Sequence, residues 1–155
     1  MRRRVALSIA VSVALLGACA PDGPARDESG AVTEAATQGV TALKVGDCLN
    51  AMELDEVISD VPFIPCDQEH DSEVFASKQL DGDTYPGDDA IGATADEFCY
   101  GEFEPFVGVS YEDSALDYVP LYPLEEGWTT GGDREVLCLV IDPDGVTGTL
   151  AGAGR

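Results

Sequence analysis

The chain has 155 residues, 45% of them hydrophobic and 25% charged, with 30 Asp and Glu against 8 Lys and Arg, a formal charge of −22 at pH 7 and a pI near 4.1. That length fits a single domain of ordinary size with one modest core. Such acidity repels nucleic acid and anionic lipid head groups, so neither is an expected partner, and it keeps a protein soluble and monomeric.

The N-terminus reads MRRRVALSIAVSVALLGACAPDG. Three arginines precede an apolar run from Val5 to Leu16, too short for the roughly 20 residues that a membrane span needs. A basic start, a short apolar stretch and small residues before a cut make a secretory signal over residues 1–18. The stretch Leu16-Gly17-Ala18-Cys19 resembles the bacterial lipobox, which implies cleavage before Cys19 and a diacylglyceryl-modified, palmitate-bearing cysteine. Loss of Arg2, Arg3 and Arg4 takes the formal charge from −22 to −25. Attachment to the outer face of the plasma membrane then rests on the acyl chains, each buried methylene contributing roughly 0.8 kcal/mol. Residues 20–41 are rich in Ala, Gly, Pro, Thr and acids. They read, with Cys19, as a lipidated, disordered tether over 19–41 that lifts the domain roughly 25 Å off the bilayer.

The folded domain is expected over residues 42–155. "ALKVGDCLN" reads as a short strand, and "DVPFIPC" as a strand that Pro62 and Pro65 push to a sheet edge. "DSEVFASKQL" runs extended until the turn cluster "DGDTYPGDD". A helix follows, with Asp88 or Asp89 as N-cap and an apolar face of Ile91, Ala95, Phe98, Cys99, Phe103 and Phe106. Pro105 and Gly108 mark its end. "LDYVPLYP" is a strand interrupted by Pro120, and "EVLCLVI" (135–141) is apolar on both faces, as a central strand is. "DPDG" (142–145) reads as a turn before a last short strand, "VTGTL". The fold class is α+β: a mostly antiparallel sheet with one main helix packed on one face.

Cys19 is consumed by the lipid, leaving Cys48, Cys66, Cys99 and Cys138. An even number in an exported domain reads as two disulfides. Of three pairings, Cys48–Cys66 joins the ends of two neighbouring strands, and Cys99–Cys138 joins the helix face to the central strand. "PCDQEHDSEVFA" (65–76) raises a metal question, because Cys66 and His70 have zinc-like spacing. His70 is the sole histidine and no Cys-x2-Cys pair exists, so His70 reads as a structural residue and no cofactor is expected. His70-Asp71 makes a poor catalytic pair, since neighbours on a strand point to opposite faces. The acids Asp81, Asp83, Asp88 and Asp89 do not follow a calcium-loop pattern and read as a solvated turn. Trp128, Asp133 and Arg134 form the most distinctive cluster. It reads either as a partner contact or as a structural corner, with Gly131-Gly132 turning the chain into the central strand.

Taken together, "LKVGDCL" (43–49), "VPFIPCDQEHDSEVFA" (61–76), "YPGDDA" (85–90), "FCYGEFEPFVG" (98–108), "YPLEEGWTTGGDREVLCLV" (122–140) and "TGTLAG" (147–152) resemble the septum-formation domain family of actinobacterial envelope lipoproteins and membrane proteins. The Gly-Gly before Asp133 makes that loop slightly longer than the family pattern. The resemblance implies a role near the division septum, without defining a reaction. The function expected is a non-enzymatic, lipid-anchored, extracytoplasmic interaction module with an envelope or division protein as partner. The alternative is an extracytoplasmic small-ligand or ion binder. A deep pocket with converging polar groups would favour the alternative.

Overall fold

A computed structural model describes residues 23–52, 54 and 57–155. The signal segment and Cys19 lie outside the described residues. The described residues form six strands and one long helix: β1 Ala36–Gly39, β2 Cys48–Leu49, β3 Asp60–Ile64, β4 Glu69–Gln79, α1 Asp88–Val107, β5 Asp117–Leu121 and β6 Glu135–Thr147. All strand pairs are antiparallel, in the order β1-β3-β2-β4-β6-β5. The α+β class, the antiparallel sheet and the helix on one face are as the sequence predicts.

The two faces of the sheet follow from the alternation along β6. Val136, Cys138 and Val140 face α1, where they meet Ala95, Cys99, Phe103 and Val107. Leu137 and Leu139 face the other way and pack with Val32, Leu43, Leu49, Val61, Phe63 and Val74. Both disulfides form as expected. Cys48–Cys66 brings Cα atoms to 5.3 Å, and Cys99–Cys138 to 5.4 Å. The second bridge crosses from helix to sheet inside the core, both cysteines being fully buried.

The helix differs from expectation at its ends. Its N-cap is Gly87, at φ 94°, rather than Asp88 or Asp89. Those acids sit in the first turn, where the helix dipole favours negative charge, and Asp88 accepts a hydrogen bond from the Tyr85 hydroxyl at 2.5 Å. Pro105 lies inside the helix rather than ending it; Gly108, left-handed at φ 92°, ends it. The last carbonyls are then capped by the C-terminal segment, as Gly152 N–H donates to Phe106 O (2.7 Å) and Gly154 N–H to Val107 O (2.8 Å). Buried Glu73 holds that segment, accepting from Leu150 N–H (2.7 Å) and the Thr149 hydroxyl (2.9 Å). Buried Asp142 pairs with Arg155.

Three local expectations are corrected. The stretch 23–41 is not a disordered tether: Arg26 bridges to Val32, Val32 is buried, and Ala36–Gly39 pairs with β3. A partly buried ion pair fastens the stretch. Arg26 reaches Asp47 through both guanidinium nitrogens (2.5 and 2.7 Å) and also donates to Ala42 O and Gly30 O. Because β1 lies outside β3, the strand bearing Pro62 is not an edge; β2 spans only two residues and stops opposite Phe63, so Pro62 meets a neighbour on one side alone. Finally, "DPDG" does not reverse the chain. It is a bulge of four residues (142–145) opposite the single residue Asp71, and β6 continues to pair His70 with Val146 and Glu69 with Thr147.

Candidate functional site

β6 and β5 present a second row of side chains away from α1. Register sets Val119 opposite Leu139 and Leu121 opposite Leu137, so all four share that face. The segment 23–43 and part of the 51–58 loop cover the face toward β3. Over β5 the cover stops, leaving an apolar groove of about 590 Å³. Leu137, Leu139, Ile141, Val119 and Leu121 make its floor. Val40, Ala51, Leu54, Val57 and Ile58 make one wall, and Tyr122, Pro123 and Leu124 the other. Val57 is 65% exposed, Leu124 46% and Val119 39%, an unusual concentration of open aliphatic surface. Among the described residues its acids are Glu126, Asp133 and Glu135, and no Lys or Arg lines it.

Two of the three carboxylates lining the groove are already engaged within the domain. Asp133 accepts from Glu135 N–H at 2.9 Å, and Glu135 accepts from the Ser77 hydroxyl at 2.5 Å. The outer edge of β5 is also closed. Tyr118 N–H donates to the Asp117 side chain (2.8 Å), and Pro120, two residues on and on the same side, has no N–H. A further strand would find no donors there, so the accessible feature is the sheet face and not its edge.

The residues singled out from the sequence lie elsewhere, Asp133 excepted, and are structural in their contacts. Trp128, 1% exposed, sits in a wide π-type turn at Gly127–Gly131 and donates weakly to Asp83 O (3.4 Å). The Arg134 guanidinium stacks 3.9 Å from its ring centre and donates to Gly82 O (3.0 Å) and Trp128 O (2.8 Å). The cluster pins the 81–85 loop to the start of β6 and leaves the indole no surface for a partner. His70 is buried, its Nδ1 2.8 Å from Gln68 O and its Nε2 without a protein partner. Asp71 does not orient it; that carboxylate accepts from Ala51 N–H (2.7 Å) and from the Ser72 hydroxyl. Among the described residues no group of three or more His, Cys, Asp or Glu side chains is arranged to hold a metal ion.

A second cluster near the end of α1 carries perturbed phenols. Tyr111 packs edge-on against Tyr100, Phe103 and Tyr118, and Tyr118 lies tilted against Phe103. Each hydroxyl donates to a carboxylate: Tyr100 to Glu112 (2.5 Å), Tyr111 to Asp117 (2.8 Å), Tyr118 to Asp96 (2.8 Å). These bonds raise the Tyr100 and Tyr111 pKa values. For Tyr118 burial comes first and the Asp96 bond second. Glu112 is lowered by the same Tyr100 bond. A phenol made more reluctant to ionise is a brace, not a nucleophile.

The groove was missed from the sequence, although part of its signal was present. "EVLCLVI" is apolar on both faces, which requires cover on both. In "DYVPL", Val119 and Leu121 alternate away from Tyr118 and Pro120.

The fold is a disulfide-stapled α+β domain with an apolar groove on one sheet face and, among the described residues, no cluster arranged to hold a metal ion. A family model described as "Septum formation" matches residues 45–154, and the chain belongs to that family. The family is non-catalytic and ties the protein to septum and envelope biology. No curated protein and no solved structure matches the chain.

Proposed function

We propose that the protein is a lipid-anchored, extracytoplasmic interaction module of the bacterial cell envelope, acting with a division or wall-assembly protein. Family membership supplies the setting, and the observation that carries the mode of action is the groove. It offers a broad, predominantly aliphatic surface with its carboxylates at Glu126, Asp133 and Glu135, which suits docking of another polypeptide better than capture of a small polar metabolite. Two disulfides suit an oxidising compartment. The lipobox-like Leu16–Cys19 supports attachment to the outer face of the plasma membrane. Among the described residues no helix is long and apolar enough to cross a membrane.

Two measurements test this. Cys19→Ser should abolish incorporation of labelled fatty acid; continued labelling would sink the anchor. A photo-crosslinking residue at exposed Leu124, in living cells, should yield an adduct with an envelope or division protein. A crosslinker at Thr94, on the helix side, should not. Identical products from both positions would overturn the docking role.

A further inference from the structure

The chemistry of the groove also restricts what fills it. Its floor is aliphatic, so the occupant presents apolar side chains. Among the described residues its charged rim is anionic, through Glu126, Asp133 and Glu135. The surrounding molecule reinforces that sign, because four of the five Lys and Arg among the described residues are engaged. Arg26 is held by Asp47, Arg155 by Asp142, Arg134 lies on Trp128 and Lys78 over Phe98. A second copy of this chain would set −22 against −22, and an anionic bilayer is repelled in the same way. The blocked edge of β5 excludes strand addition, so the occupant lies across the face and does not extend the sheet.

We propose that the groove over β5 and β6 receives a short aliphatic segment of a partner polypeptide flanked by Lys or Arg. This rests on the interaction-module reading and names the recognition chemistry within it. The apolar residues fill the space between Val119, Leu121, Leu124 and Val57. The flanking cations meet Glu126 and the Asp133–Glu135 pair. Attraction of unlike charge speeds encounter and rejects acidic competitors, while the aliphatic contact supplies the lifetime of the complex.

The test uses the oxidised full chain and a labelled synthetic peptide of Leu and Val with two Lys at each end. Its twin carries Glu in place of Lys. The Lys peptide should bind, more weakly as salt rises, and the Glu twin at least tenfold more weakly, a difference of about 1.4 kcal/mol. Val119→Asp and Leu124→Glu each add negative charge, which strengthens any unspecific attraction for the Lys peptide. They should nevertheless weaken binding about tenfold, with urea midpoints unchanged, whereas Thr94→Glu should not. Equal binding of the twins, binding indifferent to Val119→Asp and Leu124→Glu, or no binding at all would each overturn the proposal. So would sedimentation showing a dimer that Leu124→Glu dissociates, since a second copy would then cover the groove. Failure here together with a Leu124-specific crosslink in cells would refute the basic-flanked segment alone; loss of that crosslink as well would refute docking altogether.

Discussion

Asp47 shows how much a single side chain decides. It is 2% exposed and accepts from both terminal nitrogens of Arg26 and from Lys44 N–H (2.8 Å). The Asp47 bond raises the Arg26 pKa, against a smaller opposing cost of burial. A buried pair contributes little net stability against an apolar replacement, but breaking it from one side strands the other charge, at roughly 3–5 kcal/mol. Arg26→Ala is therefore expected to lower the unfolding free energy by about 3 kcal/mol in urea titration, and to detach Ala36–Gly39 from β3, read as lost amide protection there. The phenols set a second, alkaline limit. The pKa values of Tyr85, Tyr100, Tyr111 and Tyr118 are raised in the folded state, Tyr85 to about 12 by its Asp88 bond. A raised value means that the folded state holds the proton more tightly than the unfolded chain, whose tyrosines ionise near 10. Their contribution is complete below about pH 10 and is lost as pH rises through the folded values. Tyrosinate absorbance should accordingly lag that of the urea-unfolded chain and rise together with loss of the circular dichroism signal; independent early titration would show that the carboxylate bonds do not form.

Among the elements, α1 was the most legible. Ile91, Ala95, Cys99 and Phe103 recur every four residues and are all buried, and Gly108 ends the helix as its sequence position implies. The disulfide pairing followed from the same reading, since Cys99 is on that face and Cys138 is in the strand it covers. The bridges close separations of 18 and 39 residues, each stabilising by roughly 3–4 kcal/mol in the chain-entropy model. Replacing Cys99 and Cys138 together by Ala should cost more than replacing Cys48 and Cys66, because it opens the longer loop and leaves space at the centre of the core. Midpoints of thermal unfolding measure the order; a reversed order would place the critical staple at the β2–β3 end.

What stayed hidden at this scale depends on partners distant in sequence. "DPDG" has every local mark of a turn, yet Glu69 and His70 extend far enough along β4 to keep β6 paired past it, and the four residues bulge out. Residues 23–41 offer little apolar periodicity to signal a fold. One arginine meeting an aspartate 21 residues away fixes their path, and composition cannot report that. The groove was hidden for a related reason: its existence depends on where the 51–58 loop and the N-terminal segment stop covering Leu139 and Ile141, which is a matter of chain path and not of pattern.

At the scale of the molecule the excess of acids dominates. Like charges repel most when unscreened, and the screening length falls from about 30 Å at 0.01 M salt to about 10 Å at 0.1 M. The midpoint of thermal unfolding should rise over that range, because the compact state concentrates the negative charge. A fall would mean that specific ion pairs outweigh the general repulsion.

The fastening of Arg26 has a mechanical consequence. With a lipid on Cys19, as proposed, only six residues lie between the anchor and Arg26, a leash of at most about 25 Å even if fully extended. A domain of this size has a radius of gyration of about 14 Å, so it cannot swing clear of the membrane. It would roll against the surface, scanning sideways for partners within one domain's breadth and never reaching across the wall space. The single tryptophan, Trp128, serves as a ruler. Energy transfer from it to a dansyl-labelled lipid should be efficient in the native lipoprotein and should decrease in Arg26→Ala, where slack extends to Val32. Equal transfer in the two would show that the leash ends elsewhere.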